Sequence, residues 1–301
     1  MTSVVAERES QPLPPEPQTS ENYGELRVVL QALRRNRTAF ASVILIAVVI
    51  IGAVFAPLIA PYDPLAQNLV LRFQPPSWAH IFGLDEYGRD IFSRILYGAS
   101  VSLQVGIEVV VFALGIGVIA GTISGYFGGM VDSAIMRFAD IFLAFPGLVL
   151  AIGISAALGP GIDNVVIALV VTSWPTYARV IRGQTLSLKG LEFITSARAI
   201  GAGRLRIIAS HIIPNTLPPV LVLASLGMGG AILAEAGLSF LGLGIEPPHP
   251  SWGNMVAEGQ DYILQAPHLS IIAGLTITII VLAFNLIGDG LRDALDPKLR
   301  I

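Results

Sequence analysis

Residues 39–60 read AFASVILIAVVIIGAVFAPLIA, a run of 22 residues without a charge. At about 1.5 Å per residue a helix of this length crosses a hydrocarbon core of ~30 Å, so the stretch predicts a transmembrane helix. A cleaved signal peptide is the competing reading. It fits poorly, because the preceding 38 residues are too long and too acidic for an n-region and Pro61 directly follows the small-residue end. Further apolar runs lie at about 101–124, 138–158, 164–181, 216–236 and 269–288, each bounded by Gly, Pro or charge, which makes six spans. The composition agrees. Of 301 residues 53% are hydrophobic and only 13% are charged, against roughly 25% in soluble domains. Mean hydropathy is +0.72. The absence of Cys excludes a disulfide-stapled domain, a thiolate metal site and a Cys nucleophile.

Net charge is −3, which says little until the charges are sorted by face. With the amino terminus inside, the inner segments hold Arg8, Arg27, Arg34, Arg35, Arg37, Arg137, Arg179, Arg182, Lys189, Arg198, Arg204, Arg206, Arg292, Lys298 and Arg300, leaving only Arg72, Arg89 and Arg94 outside. The positive-inside rule then predicts that both termini are cytoplasmic. The outer loops carry Asp63, Asp85, Glu86, Asp90, Asp163, Glu246, Glu258 and Asp261. An acidic outer face suits docking of a soluble partner and is also what a positive-inside protein leaves by default.

Residues 1–22, with QPLPPEPQ in the middle, read as a disordered tail. In 23–38, Leu26, Val29, Leu30 and Leu33 share one helical face opposite Glu25, Arg27 and Arg34, which predicts an amphipathic interfacial helix leading into the first span. The spans divide the rest into an extracytoplasmic loop at 61–98, a core at 99–290 with a cytoplasmic loop at 183–214, and a cytoplasmic tail at 291–301. Gly117, Gly121 and Gly125 repeat every four residues in the second span and offer a face for close helix packing. Pro146 should kink the third span. Glu108, about two turns into the second span, suits either a cavity lining or a protonated side chain bonded to a neighbouring helix. Glu235, near the outer end of the fifth span, suits an outer gate or a helix cap.

The inner loop LSLKGLEFITSARAIGAGRLRIIASHIIPN runs from Leu186 to Asn215. A helix can begin after Lys189-Gly190, and its small residues Ala197, Ala199, Gly201, Ala202 and Gly203 are flanked by Arg198, Arg204 and Arg206. It is too short and too polar to span. It suits a knob lying in a groove of a cytoplasmic partner with arginines at the edge, or a surface helix whose arginines face lipid headgroups.

Glu192-Phe-Ile-Thr-Ser-Ala-Arg-Ala-Ile-Gly201, followed by His211-Ile-Ile-Pro214-Asn215, resembles the EAA loop of ABC importer permeases in its peptide-transporter form. FGLDEYGRDIFSRILYGASVSL (82–103), LSFLGLGIEPPHPSWGNM (238–255) and GDGLRDALDPKLR (288–300) resemble signatures of the C-type permease subunit of dipeptide, oligopeptide and nickel importers. The likeness runs over about 34–301. It implies the all-α type I importer fold, a five-helix core plus an N-terminal helix, in a bacterial plasma (inner) membrane. It also implies that the chain is a non-catalytic subunit forming half of a translocation pathway for peptides, with a nickel or small-chelate importer as the alternative. The implied partners are a B-type permease, two cytoplasmic ATPases that bind ATP and Mg, and an extracytoplasmic substrate-binding protein. The implied ATPase dock is the loop with Glu192, Thr195, Ser196, Ala197, Arg198, Ala199, Gly201, Arg204, His211 and Pro214. One departure is plain: Thr195-Ser196-Ala197 stands where the family has Glu-Ala-Ala, so the motif's own Glu is missing.

Catalytic signals are absent. There is no Walker A motif, the four His are scattered without metal-ligand spacing, and no Ser sits in a Gly-x-Ser-x-Gly setting, so no catalytic residue, metal or bound cofactor is expected in this chain. Lipid surrounds the spans and no nucleic-acid partner is expected. An ion-coupled secondary transporter, the remaining rival, would need broken helices around a midplane ion site. In FGLDEYGRD, Asp85 reads as a helix cap and Gly88 as a tight turn. Pro247, Pro248, Pro250 and Trp252 read as a rigid loop with its Trp at headgroup level.

Overall fold

The computed structural model describes residues 36–295. The predicted tail 1–22, the interfacial helix up to residue 35 and the tail beyond residue 295 lie outside the described residues. Asn36 caps the first helix, its Oδ1 accepting from the Ala39 N–H at 3.2 Å. The helix α1 spans Arg37–Val54 and is followed by a short α2 at Ala56–Ile59. The 39–60 run is therefore two helices. Pro57 lacks the N–H that would bond the Ala53 carbonyl, so the chain breaks at Phe55.

Among the described residues five helices are long and apolar enough to cross a membrane: α1, α3 (Ile91–Phe127), α6 (Ile162–Lys189), the continuous stretch Arg204–Phe240 and α11 (His268–Leu295). The stretch Arg204–Phe240 consists of α8 (Arg204–Ile207), a π-helical turn (Ile208–Ile212) and α9 (Ile213–Phe240). The sixth expected span is not one kinked helix. It is a pair, α4 (Gly129–Leu143) and α5 (Gly147–Leu158), bent by 82° at their junction. Pro146 occupies the N-cap position of α5 with ψ 123°, and the residue before a proline avoids the helical region, so the chain stops and restarts. The last helix runs on through Leu295, so 291–295 are helical. Outside the spans α7 occupies Glu192–Ala199 and α10 Trp252–Gln260.

Close packing is organised by glycines. A Cβ on Gly117 would lie 2.5 Å from Tyr177 Cβ, one on Gly121 2.9 Å from the Arg182 N, and one on Gly125 2.8 Å from Thr185 Cβ, so this stripe of α3 lies directly on the backbone of α6. Asp132 of α4 accepts a forked pair from Arg182 of α6, from Nε and Nη2 at 2.6 Å each, and also meets Ser124 of α3. Gly229 and Gly288 bring α9 against α11, and Gly98, Gly253 and Gly259 let α10 press onto α3, α9 and α11. The outer surface of the bundle is apolar: Ile44, Val48, Ile51, Val111, Phe112, Ile119, Leu275 and Leu282 are all exposed.

Arg94 stands in the first turn of α3 and Tyr126 in its last, about 48 Å apart for 32 residues at 1.5 Å each. Since this exceeds a hydrocarbon core of ~30 Å, Arg94 and Tyr126 cannot both lie within it.

Candidate functional site

At the Tyr126 end, α7 is anchored by two side chains. Ile194 and Ala197 are buried against Tyr126, Ile207, Ile208 and Ile212. Glu192 lies in the first turn and Arg198 in the last, each at the helix end that its charge favours. The helix ends in a Schellman motif: the Ala202 N–H donates to the Ala197 carbonyl and the Gly201 N–H to the Arg198 carbonyl, both at 3.0 Å. Gly201 takes φ +85° there, with open space where a Cβ would stand. It terminates the helix, and its substitution strains the backbone without a clash.

The face that remains is exposed: Glu192, Thr195, Ser196, Arg198, Ala199, Gly201, Arg204 and Pro214 all reach solvent, while His211 is half-buried beside Phe193. Ala197 differs from the others of the predicted dock, since it faces inward and holds the helix in place. The surface also carries apolar residues that no sequence motif marks. Phe193, Ile200 and Leu205 are exposed, Ile200 by 87%. Tyr126 was missed too. Its ring lies under both Arg198 (5.4 Å) and Lys189 (5.7 Å), beside a cavity of about 450 Å³ that Arg204 and Phe127 also line. The SGYFGG stretch that ends the second span was the available signal.

The opposite end holds a buried ion network that sequence analysis scattered over two loops. Arg89 and Arg94 are 2% and 1% exposed. Arg89 donates through Nε to Asp85 at 2.6 Å, and through Nη2 to Glu86 at 2.9 Å and Glu258 at 3.0 Å. Arg94 donates through Nη2 to Glu258 at 2.7 Å, with Asp85 at 3.4 Å from its Nε. Glu258 belongs to α10, so the network ties the loop before α3 and the start of α3 to α10. Asp85, Glu86 and Glu258 place carboxylate oxygens within 4.8 Å of one another, a spacing that a metal ion can use, but the guanidiniums of Arg89 and Arg94 already occupy that space and offset two of the three charges. Burial, aided by the neighbouring Asp85, pushes the Glu86 carboxyl up to about 7.

Two expectations change here. Asp85 is not the cap of α3: it accepts the N–H groups of Tyr87 and Arg89 inside the turn that Gly88 (φ +73°) makes, and Asp90 caps the helix by accepting from the Ser93 N–H at 2.8 Å. Trp252 does not face lipid headgroups. It is fully buried at the start of α10 and its indole donates to the Ile95 carbonyl at 3.1 Å.

Near the C-terminal end of α9, Glu235 is 1% exposed and accepts from Ser102 (3.0 Å) and Ser239 (2.7 Å), bracing α9 against α3 rather than facing an open path. Glu108 is half-buried and accepts from Gln104 at 2.9 Å on a face of α3 turned away from the Gly117 stripe. A cavity of about 420 Å³ lies between α5, α6 and α9, lined by Thr172, Ser173, Thr176 and Tyr177 among apolar and glycine positions.

The family model described as binding-protein-dependent transport system inner membrane component matches residues 115–301, and that of the N-terminal TM domain of oligopeptide transport permease C matches residues 25–76. The chain is 44% identical over 292 residues to the dipeptide transport system permease protein DppC of Alkalihalophilus pseudofirmus, covering 96% of each. It is 46% identical over 270 residues to the glutathione transport system permease protein GsiD of Escherichia coli O6:K15:H31, covering 89% of this chain and 88% of the relative. Among solved structures, an inward-facing MetNI methionine ABC transporter chain superposes with a TM-score of 0.54 at 17% identity, covering 67% of this chain and 97% of that one. That likeness carries the type I importer fold. The ordered helices, the signatures and the coverage agree, and the chain belongs to the binding-protein-dependent transport system inner membrane components, the multi-pass permease subunits of ABC importers.

Proposed function

We propose that this chain is the C-type permease of a peptide importer and forms half of a translocation pathway with a B-type permease. Its inner end carries α7 as the contact for one of two cytoplasmic ATPases. Both termini are cytoplasmic in this reading, because the positive-inside rule puts Lys189, Arg198, Arg204 and Arg206 on one side with α7. The observation that carries the docking assignment is the geometry of α7: two buried anchors, a Schellman end and an exposed apolar rim of Phe193, Ile200 and Leu205. An exposed apolar patch on a rigid short helix is what a protein groove buries.

Peptide cargo is supported by the relatives named for dipeptide and glutathione transport at 44% and 46% identity. The ATPases bind ATP and Mg, and their closure pushes the two coupling helices together, opening the cavity toward a loaded binding protein; hydrolysis resets it. The missing motif Glu at Thr195 makes the contact at this chain weaker in charge and more dependent on apolar burial.

The test is co-purification and uptake. The chain should elute with an ATPase and a second permease, and proteoliposomes should accumulate dialanine only with ATP and a hydrolysis-competent ATPase. Uptake that persists with an inactive ATPase would sink the reading.

A further inference from the structure

Two membrane-spanning helices and the docking segment meet around one cavity. Tyr126 and Phe127 are the last two residues of α3 and Lys189 is the last of α6, while Arg198 belongs to α7 and Arg204 to α8. With Ala202 and Ile207 they line a space of about 450 Å³, a size typical of small-molecule sites. Tyr126 is buried, and its ring gathers two of the cations. The Lys189 ammonium and the Arg198 guanidinium lie 5.7 and 5.4 Å from the same centroid, hence within about 11 Å of each other. No acidic side chain lines the cavity, and among the described residues none of Lys189, Arg198 and Arg204 pairs with a carboxylate. Arg179 and Arg182 of α6 differ, since they hold Asp140 and Asp132. Three uncompensated cations around one space repel one another, and an anion placed among them relieves that repulsion.

Depth narrows the choice of anion. The 28 residues of α6 make a helix of about 42 Å, which matches the ~40–45 Å of a bilayer with its headgroups. Asp163 stands in its first turn and Lys189 in its last, so each charge falls at a headgroup layer. Phe127 is 41% exposed and gives the cavity an apolar lip. Cations beside an apolar lip at this level match a phosphodiester and its glycerol backbone, and a guanidinium binds phosphate oxygens through a fork of N–H donors. The apolar rim assigned to the ATPase, Phe193, Ile200 and Leu205, lines none of the cavity, so one contact does not displace the other.

We propose that this cavity binds the phosphate of an anionic phospholipid from the inner leaflet, held by Lys189, Arg198 and Arg204 beside the Tyr126 ring. The bound headgroup ties the ends of α3 and α6 to α7 and sets the docking helix at the membrane surface. The assignment is independent of cargo and rests on the inner placement of α7 in the reading above.

Native mass spectrometry of the detergent-purified permease–ATPase complex measures retention of added dioleoyl phosphatidylglycerol and dioleoyl phosphatidylcholine. The expected result is preferential retention of phosphatidylglycerol. Its affinity should fall about fivefold in Lys189→Gln and about 25-fold in Arg198→Gln combined with Arg204→Gln, at about 1 kcal/mol per cation. Arg206→Gln removes the same charge two residues from Arg204 but outside the cavity, and should leave retention unchanged. Equal retention of the two lipids, unchanged affinity in the cavity variants, an equal loss in Arg206→Gln, or displacement by millimolar inorganic phosphate would overturn the proposal; the last would mark a free-phosphate site. Loss of the ATPase with the lipid retained in the double variant would also overturn it, giving these arginines to an acidic ATPase segment. The inner placement is read separately. The chain has no Cys, so Ser187→Cys, exposed near the end of α6, gives a single label site for a membrane-impermeant maleimide. Labelling in intact spheroplasts refutes the placement, whereas protection there alongside indifferent cavity variants refutes only the lipid site.

Discussion

Replacing Glu258 with Ala tests whether the buried network holds the outer end together. One oxygen of Glu258 accepts from both Arg89 (3.0 Å) and Arg94 (2.7 Å). After the change Arg89 keeps Asp85 and Glu86, but Arg94 keeps only Asp85, at 3.4 Å. Removing one partner of a buried pair costs about 3–5 kcal/mol, because a charge is left uncompensated. The Glu258 side chain is itself 21% exposed, so water recovers part of this and the lower end, about 3 kcal/mol, applies. For a unit of this size 1 kcal/mol moves Tm by roughly 2–4 °C, so Glu258→Ala should lower Tm by about 6–12 °C. The assay is thermal unfolding of the detergent-purified complex followed by tryptophan fluorescence, with Trp252 buried at the head of the same helix. Glu258→Gln keeps an acceptor and should lose about half as much, while the exposed Glu246→Ala should move Tm by less than about 2 °C. Adding Arg94→Met to Glu258→Ala should restore part of the loss, since the stranded guanidinium is then gone. If Glu258→Ala behaves like Glu246→Ala, the arginines are hydrated and the network does not brace α10.

Glu86 ordinarily titrates near 4.5 and does so near 7 in the fold, so the folded state binds more protons over that interval. The contribution of Glu86 to stability is therefore largest below pH 4.5, declines as pH rises to about 7 and is flat above; Glu86→Gln should flatten the Tm difference between pH 5 and pH 8. Gly121→Ala forces a methyl into the α6 backbone and should destabilise by about 1–3 kcal/mol, whereas Gly115→Ala, with open space, should not; parallel melting curves decide. Gly201→Ala should cost about 1 kcal/mol through its φ of +85° alone, with ATPase binding retained. Ile200→Ser should instead leave Tm within about 1 °C and weaken ATPase co-purification at least fivefold, and normal binding would remove α7 from the docking role.

The spans were legible because hydropathy over about 20 residues is a local property, and the Gly117, Gly121 and Gly125 spacing was legible because helical periodicity is local too. Two boundaries were misread for a reason of the same kind. Hydropathy does not register the lost N–H at Pro57, so the break at Phe55 passed as continuous helix, and the kink expected at Pro146 is a full stop and restart through 82°. The knob at α7 was legible from its small residues and arginines. Its anchoring was not, because Ile194 and Ala197 are distinguished from their neighbours only by the packing of Ile207, Ile212 and Tyr126 against them.

From the sequence alone followed the solvent of this protein, the number of apolar runs, the distribution of basic residues and the resemblance to importer permeases, all of which depend on composition and order along the chain. Only the tertiary structure decided that Arg89 and Arg94 are buried partners of Glu258, more than 160 residues away, that Trp252 is core, and that the Tyr177 hydroxyl packs on Gly227. Charge and hydropathy are carried by each residue, whereas the partner that makes a buried charge or hydroxyl tolerable is chosen by packing between helices distant in sequence.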